Sequence, residues 1–482
     1  MSKEEKVASA TEPMPAVGKA LAALSLSVLL PSLGTSIANV ALPTLSEVFG
    51  ASFQQVQWIV LAYLLATTTL VVSAGKLGDL VGRRRLLIGG IALFTAASVA
   101  CALAPNLWLL VAARAAQGAG AAVMMALTMA FVGATVPKAR TGSAMGLLGT
   151  MSAVGTALGP SLGGFLIAGF GWQAIFALNL PLGVVAVLLV RRYLPGDRAE
   201  AKGSNPSFDI AGTLILASTL AAYALATTIG RGSFGLFNVA LLAVAAVGVG
   251  FFVFIETRAK SPLIRLTMFR DRTLSAALAA SALVSTVVMA TLVVGPFYLS
   301  HGLRLETLAV GFAMSIGPLV AAVAGAPAGR LADRLGAHSV ACAGLVGMTA
   351  GCVALFATPT SFGVLGYVVP IAVLTAGYAA FQAANNTSVM AELHQEQRGV
   401  VAGLLALSRN LGLITGASVM GAVFAFASGP SSLAAAVPQA VAAGMRFTFA
   451  AAAVVVLFAL ALAVMSQVKA SPAARLNAQA RA

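Results

Sequence analysis

Charge is scarce in this chain: Asp, Glu, Lys and Arg supply 9% of its 482 residues, while apolar types supply 59%. Ordinary globular domains carry about 25% charged residues, so a water-soluble fold is excluded, and apolarity on this scale is buried only by lipid. Acids are scarcer than bases, 14 against 29, which leaves a net charge of +15. The bases form short clusters between apolar runs rather than one basic face, and this excludes a nucleic-acid partner. Cysteine is nearly absent: Cys101, Cys342 and Cys352 all lie in apolar runs, where they read as small buried hydrophobes. Disulfide frameworks and metal sites need other spacings, so no metal and no cofactor is expected. Acids, histidines and thiols do not cluster within the apolar runs, which argues against an enzyme. No Gly-x-x-x-x-Gly-Lys-Ser/Thr loop occurs, which argues against a nucleotide-driven pump.

What is present is a series of continuous apolar runs of roughly 20 residues or more, the length of a membrane-spanning helix and unlike the short alternating segments of a β-barrel. Fourteen spans are predicted: 20–44, 54–75, 86–104, 107–133, 141–168, 172–192, 209–229, 237–257, 273–299, 307–327, 338–357, 363–389, 399–425 and 443–467. The first run is too long for a cleaved signal peptide and is expected to remain as the first span. With the N-terminus inside, 24 of the 29 basic residues fall in inside segments, Arg231 and Arg304 fall outside, and Arg114, Arg409 and Arg446 fall within spans. Lysine and arginine favour the cytoplasmic side, so both ends are expected there.

The stretch Gly75 to Arg85 sets four basic residues, one acid (Asp79) and three glycines between two apolar runs. A weaker copy, Gly329 to Gly336 with Asp333, follows 254 residues later. The fifth and thirteenth spans also align, at an offset of 257: Gly146 with Gly403, Gly155 with Gly412, Gly159 with Gly416 and Gly164 with Gly421. Two related halves follow, separated by two extra spans. The expected division is a cytoplasmic tail at 1–19, a six-helix bundle at 20–192, linkers with two inserted helices at 193–271, a second six-helix bundle at 272–467 and a cytoplasmic tail at 468–482. An even number of inserted spans keeps both halves in one orientation, as in one large class of secondary transporter.

At these motifs the chain resembles the major facilitator superfamily, and within it the fourteen-span drug:proton antiporters. The resemblance covers about residues 20–467. Gly75 to Arg85 matches the signature between spans two and three, with Leu80 where a basic residue is usual; Arg114, Gln117, Gly118 and Gly120 match the fourth-span motif. Gly155, Gly159, Pro160, Gly163 and Gly164 match the antiporter motif of span five, and Trp58 and Tyr63 stand where the subfamily commonly has them. The first-span run Asn39-Val40-Ala41-Leu42-Pro43 is intact, but the aspartate usual nine residues before its proline is here Gly34. The resemblance implies an all-α major facilitator fold in the cell (inner) membrane. Its implied activity is alternating-access efflux of drugs or toxic small molecules by proton antiport. The alternatives are a dedicated exporter of one endogenous metabolite and a proton-independent facilitator. The implied partners are a small-molecule substrate, protons and the lipid bilayer, with the chain acting as a monomer.

The candidate residues divide by role. Gly75, Asp79, Gly82, Arg83, Arg84, Gly329 and Asp333 read either as topogenic hairpins or as a conformational lock. In the family the aspartate matching Asp79 engages a helix start in the other half, here near Gly399 to Gly403. The glycines of span five read as static small-residue packing, as a sliding face, or as both. Arg114 and Arg409 are intramembrane charges, costly and by default functional, although a long arginine also snorkels to the surface. Arg114, Gln117, Asn39 and Arg409 form the coupling or cavity set. Ser36, Met124, Tyr298, Tyr378, Gln382, Asn385 and Asn386 are substrate-binding candidates, interhelical hydrogen bonding being the other reading of the polar ones. All fourteen acids lie in loops, tails or span ends. Arginine without a mid-membrane carboxylate disfavours a cationic substrate and favours a neutral or anionic one. His301 reads as a solvated residue at an outer span end.

Overall fold

Lipid offers the backbone no hydrogen bonds, so a chain of long apolar runs satisfies its N–H and C=O groups within helices. The computed structural model describes residues 14–136, 141–197, 210–229, 235–258, 266–391, 395–429 and 438–479, without the side chains of Lys76, Asp79 and 391–400 among others; no strand occurs among them. The first part comprises α1 (Met14–Val40), α2 (Leu42–Val48), α3 (Phe53–Val81), α4 (Arg83–Ala102), α5 (Leu107–Thr135), α6 (Thr141–Phe170), α7 (Ala174–Ala177) and α8 (Asn179–Tyr193). Then come α9 (Ile210–Thr228) and α10 (Leu236–Arg258). The last part comprises α11 (Arg272–Phe297), α12 (Thr307–Leu335), α13 (Ala337–Ala357), α14 (Leu365–Ala391), α15 (Gln395–Thr415), α16 (Gly421–Ala427) and α17 (Pro438–Gln479). Two π-helical segments interrupt this part, Tyr298–Gly302 after α11 and Gly416–Met420 between α15 and α16.

Among the described residues thirteen helical stretches are long and apolar enough to cross a membrane, one fewer than the fourteen expected. The helix left out is α3, which has ample length at 29 residues. Positions 72, 76 and 79 within it lie outside the described side chains, which interrupts the stretch counted. The expected first span is also cut short: α1 stops at Val40, and Pro43 begins α2, where a missing N–H costs nothing. The sixth divides into α7 and α8 at Leu178, next to the buried Asn179.

Helix pairings repeat between the two parts. α1 packs on α6 and α8, and α11 packs on α15 and α17. α3 and α4 pack on α5 as α12 and α13 pack on α14. The repetition reaches single residues: a methyl group on Gly120 would strike the Gly90 carbonyl, and one on Gly377 would strike the Gly344 carbonyl. Close backbone approach through small residues is how membrane helices associate without a hydrophobic driving force. α9 and α10 pack on each other, and α10 shows a largely exposed apolar surface that includes Leu236, Phe237 and Val247. α9 bonds to both parts. Thr213 pairs with Ser73 at 2.8 Å, and Trp58 Nε1 donates to Thr228 Oγ1 at 3.2 Å. Between them along α9, Tyr223 Oη donates to Thr415 Oγ1 at 3.1 Å.

Both charged hairpins join two helices through one glycine, Gly82 at φ 103° and Gly336 at φ 86°. This is backbone space that a side chain resists, and it is why each copy ends on glycine. Arg83, Arg84, Arg85, Arg191, Arg192, Arg330 and Arg334 mark this basic end of the molecule.

Candidate functional site

Arg114, on α5, is fully buried in the first half. Its Nε donates to the Ile59 carbonyl at 3.0 Å and its Nη1 to the Gly34 carbonyl at 3.2 Å and to Gln117 Oε1. Gln117 Nε2 donates onward to Ser98 Oγ at 2.6 Å. The guanidinium lies over the Tyr63 ring, 4.3 Å from its centroid, and 6.0 Å from that of Phe176; such a contact favours a cation. Tyr63 Oη in turn donates to the Pro31 carbonyl at 3.0 Å. Carbonyls, an amide and ring faces therefore surround Arg114, and among the described residues no carboxylate pairs with it. Nη2 is buried without a hydrogen-bond partner among the described residues. At the position of the usual acid, a Cβ on Gly34 would lie 3.2 Å from Phe94 Cζ, so a buried ring occupies the space. Asn39 is buried on the same helix as Gly34; its Nδ2 donates to the Thr35 carbonyl at 3.0 Å and its Oδ1 has no partner among the described residues.

The glycines of α6 divide between two neighbours. Methyl groups on Gly155, Gly159 and Gly163 would strike α1 at Leu29, Ser36 and Val40. A methyl on Gly164 would lie 2.9 Å from the Thr307 carbonyl oxygen and 3.1 Å from Gly311 Cα, both on α12 in the other half. The carbonyl of Pro160 faces Gly311 in the same crossing. In the second half the pattern returns: Gly412 and Gly416 sit against α11, and Gly421 against Gln57 of the first half. The 257-residue offset thus pairs glycines that contact the same partner in each half.

Further contacts join the halves at this end, opposite the basic residues. Phe53 lies between Phe297 and Phe424, its centroid 4.7 and 5.1 Å from theirs. Gln57 Nε2 donates to the Ala417 carbonyl at 2.8 Å, inside the second π-helical segment. His301, in the first π-helical segment, has Nε2 3.5 Å from Glu47 Oε1, and its side chain is 12% exposed. The expectation of a solvated His301 is corrected: the interhalf contact and Phe297, stacked on the imidazole, cover it.

At the first hairpin, the side chain of Asp79 lies outside the described residues, as does the face of Gly399 it was expected to meet. The described acid there is Asp197, which follows α8. Its carboxylate accepts from the backbone N–H of Arg84 at 2.7 Å and of Arg85 at 3.2 Å, capping α4. Arg84 Nη2 donates to the Arg191 carbonyl. Sequence reading passed over Asp197; the signal was an acid after Pro195-Gly196 on an otherwise basic face. In the second copy a methyl on Gly329 meets nothing, as on Gly75, and Asp333 is exposed. Arg83 is half-buried.

The substrate candidates are spread over α1, α5, the π-turn after α11, and α14. Ser36 is buried, its Oγ 3.2 Å from the carbonyls of Ser32, Leu33 and Gly155, which ties α1 to α6. Met124 is buried in the first half. Tyr298 is buried against Tyr367, ring centroids 6.1 Å apart. On α14, Gln382 Nε2 donates to Tyr378 Oη at 3.3 Å, Asn385 Nδ2 donates to the Ala277 carbonyl at 3.4 Å, and Asn386 is exposed. Arg409 is half-buried between the buried Ser408 and Asn410. Cys101 and Cys352 are buried and Cys342 is half-buried, all three free. No metal-holding cluster occurs among the described residues.

Comparison with known proteins places this architecture. Residues 24–417 match the model of the Major Facilitator Superfamily. The chain is 30% identical to the riboflavin transporter RibZ of Clostridioides difficile over 378 residues, 78% of this chain and 81% of that protein. It is 32% identical to the multidrug resistance protein Stp of Mycobacterium tuberculosis over 382 residues, 78% of this chain and 70% of that protein. Among solved structures, a bacterial homologue of the human lysosomal transporter Spinster, in an inward-facing and occupied conformation, superposes with a TM-score of 0.69 at 17% identity. That match covers 94% of this chain and 97% of the other. The chain therefore belongs to the Major Facilitator Superfamily and is a multi-pass transporter of the cell membrane.

Proposed function

We propose that the chain exports amphipathic small molecules by alternating access, in exchange for protons, and that its cargo is neutral or anionic. The observation that carries the reading is the α6 seam. Gly164 and Gly311 bring the two halves to backbone contact at one end, while Gly155 and Gly159 bind α6 to α1 of its own half. Two halves locked internally by glycine, and meeting through glycine, are suited to rocking as rigid bodies. With the basic residues on the cytoplasmic face, the end joined by these glycines is the outer one, which suits a state that receives cargo from inside.

The charge preference rests on Arg114, a buried cation whose partners are carbonyls, an amide and rings. A relative named for riboflavin and one named for multidrug resistance match at 30% and 32% identity, so a cargo range confined to one metabolite is the second reading. Transport into inside-out vesicles with an imposed pH gradient, run on a panel of cationic, neutral and anionic compounds, tests both parts. Gradient-driven uptake of neutral or anionic compounds is expected. Uptake indifferent to the gradient would sink antiport, and strong uptake of quaternary ammonium dyes would sink the charge preference.

A further inference from the structure

The contact between His301 and Glu47 crosses the boundary that alternating access must open. Glu47 belongs to α2 in the first half, and His301 to the π-helical turn that follows α11 in the second. Extra residues inserted into a helix as a π-turn recur at functional sites. Both π-turns among the described residues carry a bond to the other half, His301 to Glu47 and the Ala417 carbonyl to Gln57. The two bonds differ in kind. The Gln57 amide does not titrate, whereas an imidazole changes charge near neutral pH. The imidazole is packed beneath the seam, its ring stacked on Phe297, and its Nδ1 is buried with no partner among the described residues. Nε2 towards Glu47 is thus its polar link. Among the described residues the other charged or titratable groups around this turn are Tyr298 within it, Arg446 on α17, Tyr367 on α14 with its ring against that of Tyr298, and Arg304 and Glu306 in the link to α12. α11 presents no ionisable residue between Arg272 and Phe297.

We propose that His301 is a proton-binding latch on the outer gate. Protonated from the outside medium, the imidazolium closes on the Glu47 carboxylate and holds the halves together; neutral, it gives up the ion pair and the gate opens more readily. The latch rests on the alternating-access reading but is separate from the coupling proton, because it faces one side of the membrane. Low external pH would then favour the state closed outside and open to cargo from the cytoplasm.

The test uses the full chain in lipid nanodiscs, with Cys101, Cys342 and Cys352 replaced and spin labels placed at the exposed Leu103 and Phe362, one on each half at the gate end. Pulsed distance measurements at pH 5.5 and pH 8 read the fraction closed. The closed-to-open ratio is expected to rise about two- to fivefold at the lower pH, the range of a partly exposed ion pair. His301→Gln and Glu47→Gln should each abolish that response. His301→Arg, a permanent cation, should hold the ratio high at both pH values. A pH response that survives in both glutamine variants, or is absent in the parent chain, overturns the latch. A label distance that also ignores added cargo overturns the alternating-access reading with it, whereas a distance that follows cargo and not pH overturns the latch alone.

Discussion

The crossing of α6 and α12 offers the sharpest perturbation. In Gly164→Ala the new Cβ would stand 2.9 Å from the Thr307 carbonyl oxygen and 3.1 Å from Gly311 Cα. Both are backbone atoms, so no rotamer change relieves the clash, and the helices must separate by several tenths of an ångström. Overpacking of this kind costs about 1–3 kcal/mol. The cost applies only while the halves are closed at this end, because opening removes the contact. The open-to-closed ratio should therefore rise by about 5- to 150-fold, since about 1.4 kcal/mol is a factor of ten. Gly149→Ala on the same helix is the control, as its Cβ meets nothing within 4 Å. The assay is the spin-label distance between Leu103 and Phe362, read with thermal unfolding of the same samples. Unchanged populations in Gly164→Ala, with a loss of stability like that of an ordinary core clash, would show that the seam is static and refute the reasoning.

Three further perturbations follow from the first half. Arg114→Lys keeps the charge but cannot serve the Ile59 and Gly34 carbonyls and Gln117 together while stacking on Tyr63; kcat/KM for an anionic cargo should fall at least about tenfold, or about 1.4 kcal/mol, in a vesicle flux assay. Gly34→Asp restores a carboxylate beside Arg114, and cationic dye export should appear or increase; the Cβ contact to Phe94 should lower stability by about 1–3 kcal/mol, visible in melting curves. Asp197→Ala removes the cap on α4 and should cost about 0.5–2 kcal/mol in thermal unfolding, with Asp197→Asn losing less because it keeps an acceptor.

Much of this architecture was legible in one dimension. Apolar run length gave the helices, and the repeats at offsets of 254 and 257 gave the two halves, because glycine at Gly82 and Gly336 answers a backbone requirement that leaves no substitute. The α6 glycines were legible for the same reason: close approach admits no side chain. The roles of single polar residues were not. Ser36 read either as a cargo ligand or as an interhelical hydrogen bonder, and its hydroxyl ties α1 to α6. Asp197 caps a helix that starts 114 residues earlier, at Arg83, and no local pattern encodes that pairing. His301 looked solvated because its own segment is a span end; Phe297, one turn earlier, and Glu47, from the other half, cover it. The π-turns have no sequence signature of their own, and α9, read as an insertion, bonds to both halves through Thr228 and Tyr223.

Proton exchange is tested most directly in proteoliposomes carrying the purified chain, a pH-sensitive dye inside and a proton gradient across the membrane. Adding a transported neutral or anionic cargo should dissipate the gradient in proportion to cargo moved, and Arg114→Ala should abolish both fluxes together. Cargo movement that leaves the dye signal unchanged would contradict antiport and leave a proton-independent facilitator in its place.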